Sequence, residues 1–176
     1  MKKNNKNLII LLFTLLIVIV VLYFFLDNKD TKIHNKLKKL NIDDVNNVMI
    51  VAHSDDEALW GGAHLVEEKY LVVCVTCGSN KTRKKEFISA MKKINAPYIV
   101  LNYPDLVNGK KDDWKESYQL IKSDLTEIIN YKQLNKIVTH NPDGEYGHIH
   151  HIMVSEILTS ISDHNNLYYF NKYYTN

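Results

Sequence analysis

Short apolar runs alternate with longer stretches of helical period along most of this chain. Residues 47–52 (NVMIVA), 70–76 (YLVVCVT), 98–102 (YIVLN), 136–140 (KIVTH) and 166–170 (NLYYF) have strand length and carry β-branched and aromatic residues. Between them, helical spacing predicts four helices. Residues 55–69 carry Leu59, Trp60, Leu65 and Val66, and residues 82–95 carry Phe87, Ile88, Met91 and Ile94. Residues 113–130 put Trp114, Tyr118, Ile121, Leu125 and Ile128 on one stripe, and a last helix is predicted over 148–161. A turn at Gly78–Lys81 and a loop with Pro104 and Asn108-Gly109 punctuate the pattern. Strand–helix alternation with short, wholly apolar strands predicts an α/β fold: a mainly parallel sheet of about five strands, covered by helices on both faces.

One run breaks the pattern. Residues 8–26 (LIILLFTLLIVIVVLYFFL) hold no charge, with Thr14 and Tyr23 their only polar side chains. Nineteen such residues reach across a bilayer as a helix. The run exceeds the apolar core of a secretory leader, and no small-x-small cleavage site follows it. It is therefore read as an uncleaved transmembrane anchor that contacts membrane lipid. This gives a short polar N-terminus (1–7), the anchor (8–26), a basic polar linker (27–44) and one domain (45–176). Lysines flank the run on both sides, so the positive-inside rule assigns no orientation.

Charge sharpens the division. Residues 1–40 carry eight Lys and two Asp, a charge of +6, which leaves −4 for the rest of a chain whose total is +2. The basic character belongs to the membrane flank, where it suits anionic headgroups. No basic stripe with interleaved aromatics runs through the domain, so nucleic acid is not an expected partner. Cys74 and Cys77 form a C-x-x-C, but inside an apolar strand and its end rather than at a loop opening a helix, so no redox or zinc role is assigned to them.

In parallel sheets, sites form where strand C-termini open into loops. Those positions are His53, Thr76 to Ser79, Asn102 to Asp105, and His140 to His151. No G-x-G-x-x-G follows the first strand, which argues against a dinucleotide. At the first strand end, His53 precedes Ser54, Asp55, Asp56 and Glu57. Ser54 and Glu57 have the spacing of a capping box, and acids suit a helix N-terminus. A cap does not need His53. At the fourth strand end, His148 and His151 share a helix face at i, i+3, while His150 points elsewhere. His53, one acid and one of the paired histidines make up the three protein ligands of a catalytic zinc site. A spare acid and a spare His are left for proton transfer and charge stabilisation. A two-metal phosphoesterase would call for more acids than these strand ends supply.

At these residues the chain resembles a known family. AHSDDE is similar to the Ala-His-Pro-Asp-Asp-Glu signature of the PIG-L/LmbE-type zinc-dependent de-N-acetylases, and THNPDGEYGHIHH to their second motif, ending in His-x-x-His. TRKKEFISAMKKI resembles their Arg-x-x-Glu helix through Arg83 and Glu86. The resemblance runs from about Val48 to Phe170 and implies a Rossmann-like fold. It implies that His53, Asp56 and His151 bind Zn2+, that Asp55 is the general base for the attacking water, and that His148 stabilises the oxyanion or protonates the leaving amine. Arg83 and Asp105 are the candidates for holding substrate. A His2Asp set also accepts Fe2+ or Co2+. The implied activity is removal of acetyl from an N-acetylglucosamine-type sugar, with the anchor pointing to a lipid-linked one such as N-acetylglucosaminyl-phosphatidylinositol. The sequence departs from the pattern at Ser54, in place of Pro, and at His150, where many members carry an acid that orients the catalytic histidine; Asp143 and Glu145 are the substitutes at hand. The chain also stops soon after its fifth strand. These departures motivate the alternative, a catalytically degenerate glycan- or metal-binding module on the same fold.

Overall fold

The computed structural model describes residues 11–20 and 31–171. The chain divides into two units, Met1–Lys32 and Ile33–Asn176. In the first, residues 11–20 are helical (α1) and exposed. Among the described residues no helix is long and apolar enough to cross a membrane. Residues 8–10 and 21–26 of the expected span lie outside them.

The second unit is built on a sheet of five parallel strands: β1 (Asn47–Val51), β2 (Leu71–Cys74), β3 (Tyr98–Val100), β6 (Lys136–Thr139) and β7 (Leu167–Tyr169). Their order is β3-β2-β1-β6-β7. The chain winds outward from β1 through α3 (Asp56–Glu67), β2 and α4 (Lys81–Lys93) to β3. It then returns through α5 (Tyr118–Asn130) to place β6 on the other side of β1, and α7 (Ile149–Ile161) carries it to β7. The reversal makes the β1/β6 junction a topological switch point, where ligands bind in such sheets.

Alternation along β1 explains the three layers. Val48 and Ile50 point into one core with Trp114, Ile121, Leu125, Val154 and Ile157. Met49 and Val51 point into the other with Leu65, Phe87, Met91 and Phe170. A strand buried on both faces must be apolar throughout, which is why it is legible in the sequence. Helix α3 lies tight against β1: a Cβ on Gly61 would stand 2.4 Å from the Met49 methyl carbon. A larger side chain there would have to displace the end of the Met49 side chain.

Three expectations are corrected. First, the stretch 27–44 is not a linker throughout. Helix α2 (Lys32–Leu37) buries Ile33 and Leu37, and Ile42 follows them into the core. Apolar residues at i, i+4 in a lysine-rich stretch are the signature of a half-buried helix. Second, the loop after β3 contains a two-residue antiparallel hairpin, β4 (Leu106–Val107) and β5 (Lys110–Lys111). Asn108 and Gly109 turn it with φ of 52° and 74°, the type I′ geometry that Asn-Gly favours. Third, α5 begins at Tyr118 rather than 113, because Trp114 has φ 51° and cannot enter the helix. Its indole is nonetheless fully buried.

The α2 contact is testable. Leu37→Ala should cost about 2–5 kcal/mol in urea unfolding of the full chain, as for a core leucine. In a solvated linker the same change would stay within about 0.5 kcal/mol.

Candidate metal centre at the switch point

The loop after β1 turns sharply. Asp55 is the N-cap of α3 with φ 100°, a costly backbone for a residue with a Cβ. Glu57 Oε2 accepts from the Asp55 N–H at 3.0 Å, not from the Ser54 N–H as the expected capping box requires. The Ser54 side chain does not cap either: its buried hydroxyl finds no hydrogen-bond partner among the described residues. The turn points Asp56 inward, 4% exposed, and Asp55 outward, with half its side chain in solvent.

His53, Asp56 and His151 meet. His53 Nδ1 lies 3.2 Å from Asp56 Oδ2 and 3.2 Å from His151 Nε2, and the third edge, His151 Nε2 to Asp56 Oδ2, is 3.3 Å. Ligand atoms on a tetrahedral ion with bonds of about 2.0–2.1 Å stand about 3.3–3.4 Å apart. The donor set therefore fits a small divalent ion. Residues drawn from the loop after β1, from α3 and from α7, up to 98 positions apart, are brought together by the parallel packing of β1 and β6.

Glu145 supports the cluster from behind. Its Oε2 accepts from His151 Nδ1 at 2.6 Å and from His140 Nδ1 at 2.9 Å. The bond to His151 turns its Nε2 toward the cluster and fixes that ring's orientation. His140 is fully buried and stacks on His151 with centroids 3.7 Å apart. The Ala52 N–H donates to its Nε2 at 3.0 Å, so His140 braces the strand end and its second nitrogen is already engaged. Glu145 itself has φ 57° inside the short irregular turn α6 (Gly144–Gly147), a second strained carboxylate at the site.

Burial and charge set the protonation states. Burial alone would raise Asp56, but the imidazoles of His140, His151 and His53 packed around it outweigh that and hold the carboxyl far below its usual range. Burial likewise opposes Glu145, and the same two rings bring it down to about 2. Burial would lower His151, yet Asp56 and Glu145 on either side raise it to about 9. His148 has no such partners. Desolvation, with His53 and His151 nearby, lowers it to about 3, so its ring is neutral.

The other expected residues line one cleft of about 680 Å³ that opens over the cluster. His148 caps α7 rather than riding on it, its Nδ1 accepting from the His150 N–H at 3.3 Å. Arg83 does not reach free into the cleft. Its Nη2 holds Asp55 Oδ2 at 2.9 Å and also binds the Ser54 carbonyl, while Nη1 faces Glu86 at 3.4 Å. Asp105 Oδ1 stands 3.7 Å from both His53 Nε2 and His150 Nδ1, at the cleft wall. His150 does not point away from the cluster as helical spacing implied; it is buried against His53. Cys74 and Cys77 are free and buried at the end of β2, where a strand reading puts them.

A parallel α/β domain with a His/Asp cluster able to hold a metal ion at its switch point defines the class of this protein. The chain belongs to the PIG-L family, described as GlcNAc-PI de-N-acetylase, which it matches over residues 48–162. It is also similar to the uncharacterized protein L374 of Acanthamoeba polyphaga mimivirus, 31% identical over 135 residues, which are 67% of this chain and 58% of that protein. The chain thus spans less than two thirds of that relative's length.

The raised His151 carries a consequence. In the metal-free protein it is protonated at pH 7, since its pKa stands near 9, and a metal ion must displace that proton. Binding of a divalent metal ion should therefore release about one proton per chain at pH 7, and apparent affinity should climb about tenfold per pH unit up to about pH 9. Calorimetry in buffers of different ionisation enthalpy reads both.

Proposed function

We propose that this chain is a membrane-anchored, zinc-dependent hydrolase that removes the acetyl group from an N-acetylglucosamine-type substrate. The observation that carries the reading is the triangle of ligand atoms at 3.2–3.3 Å formed by His53, Asp56 and His151. Family membership supplies the reaction class. When bound, the ion supplies Lewis-acid activation of water and of the amide carbonyl.

The chain's own residues take the remaining roles. Asp55 is the general base. It is half in solvent, so a proton taken from the attacking water can be passed on, and Arg83 holds its carboxylate in place. His148 is neutral, and its Nδ1 already accepts a hydrogen bond, so its proton sits on Nε2. A neutral N–H is a donor to the carbonyl oxygen as negative charge develops there. Trp60 and Tyr146, stacked with centroids 6.5 Å apart, line the cleft and offer an apolar face for a pyranose ring. Asp105 is placed to accept from a sugar hydroxyl. The uncharged run 8–26 supports a membrane location and hence a lipid-linked acceptor.

The test uses the full chain in detergent with one equivalent of zinc, offered soluble and lipid-linked N-acetylglucosaminides. Acetate release is expected from both, faster from the lipid-linked one. Asp55→Asn should lower kcat by about 10²–10⁴-fold, the usual worth of a general base, with zinc content unchanged. Sugar binding without any acetate release would instead identify a binding module.

A further inference from the structure

We propose that His150 is the positioning residue that presents the Nδ1 lone pair of His53 to the metal ion, by relaying a backbone carbonyl to its ring. The inference rests on the metal-site reading above and concerns a residue that reading leaves without a role.

A neutral imidazole has one donor nitrogen and one acceptor nitrogen, so fixing one fixes the other. His150 Nε2 lies 2.7 Å from the Asp112 carbonyl oxygen, which can only accept. The proton of His150 is therefore on Nε2, and its Nδ1 is an acceptor. That Nδ1 lies 3.0 Å from His53 Nε2, while Asp105 Oδ1, at 3.7 Å, stands outside hydrogen-bond range. His53 accordingly carries its proton on Nε2 and donates it to His150. Its Nδ1 is left bare, facing Asp56 Oδ2 and His151 Nε2. The opposite tautomer would set an N–H against the ion.

His150 is held rigidly enough to impose this order. Its ring is fully buried and stacks on Trp114, with centroids 4.3 Å apart and planes 3° from parallel. The indole is pinned in turn, donating from Nε1 to the Pro104 carbonyl at 2.7 Å. The Trp114 N–H donates to Asp112 Oδ1 at 2.7 Å, which fixes the strand of loop that supplies the carbonyl. A charge on His150 would be buried against an indole with no carboxylate in hydrogen-bond reach, which is costly. An acid at this position could accept from His53 but could not donate to Asp112, and would place a bare charge against Trp114. The histidine also works through its backbone: its N–H fixes the tautomer of His148. One residue sets the hydrogen positions of two rings.

The full chain is tested in two ways. In metal-free wild type, long-range proton–nitrogen NMR is expected to find His53 protonated on Nε2; protonation on Nδ1 overturns the proposal. Zinc affinity is then measured by chelator competition. His150→Leu, which neither donates nor accepts, should bind one zinc about 10–100-fold more weakly, the usual effect of removing a ligand's supporting partner. His150→Gln, whose amide can do both, should recover most of the loss. Wild-type affinity in His150→Leu overturns the positioning role alone. If wild type takes up no zinc, or His151→Ala binds as tightly as wild type, the metal-site reading fails and the role falls with it. Should His150→Leu not fold, the His53 tautomer and the glutamine variant decide.

Discussion

The buried carboxylate of Asp56 is the constraint on which the site depends. An ionised group with 4% exposure must be paired or ligate a metal. Asp56 accepts from the His53 N–H at 2.8 Å and faces three imidazoles. Glu145 is a second buried carboxylate on the far side of two of those rings. Two such buried negative charges call for two positive ones. The His151 proton supplies part of the balance in the metal-free protein, and a divalent ion supplies all of it. That charge count, together with the donor spacing, is why the cluster reads as a metal centre rather than a satisfied core.

The fold produces this placement through backbone demands that are local and costly. Both carboxylates that shape the site sit in or beside turns with positive φ, Asp55 at 100° and Glu145 at 57°. Strain of this kind persists only when packing over-determines it. Here β1 and β6 pair in register, from Asn47 with Lys136 to Ile50 with Thr139. The Thr139 hydroxyl donates to the Ile50 carbonyl, and the Ala52 N–H donates to His140, locking the two strand ends together. The turns leave from a fixed platform, so their side chains meet.

Much of this was legible in the sequence, for identifiable reasons. Strands buried on both faces must be apolar runs, so β1, β2 and β6 announce themselves. His53, Asp56 and His151 stand at strand ends, where chemistry collects. What escaped was set by contacts distant in sequence or by backbone exceptions. Trp114 kept helical spacing while its φ placed it outside the helix. Helix α2 hid its two apolar residues, Ile33 and Leu37, in a lysine-rich stretch. Ser54 had capping spacing, yet the left-handed turn at Asp55 moved the cap one residue on. Helical spacing puts His148 and His151 on one face and His150 away from it; His148 is instead an extended N-cap with ψ 124°, and His150 is buried against His53. Glu145 stood in the sequence as one of two possible orienting acids, but its actual partners, His151 and His140, are set only by the turn α6 and the start of α7.

The site divides its labour by depth. His148 sits among other imidazoles, and its pKa near 3 already keeps it neutral. A dication beside it can only push that value lower, since like charges disfavour protonation. A ring in that position cannot store a proton at pH 7; it can orient an N–H. On the proposed reaction, proton handling then falls to a group in contact with water; Asp55 and Asp105 are both about half exposed in the cleft, and Asp55 is the one held by Arg83. The buried side of the site is thus fixed in charge and hydrogen position, by Glu145 for His151 and by His150 for His53 and His148. The exposed side is free to exchange protons with solvent. On the proposed reaction this separation lets the deep residues stay preorganised for the developing oxyanion while the shallow acid cycles.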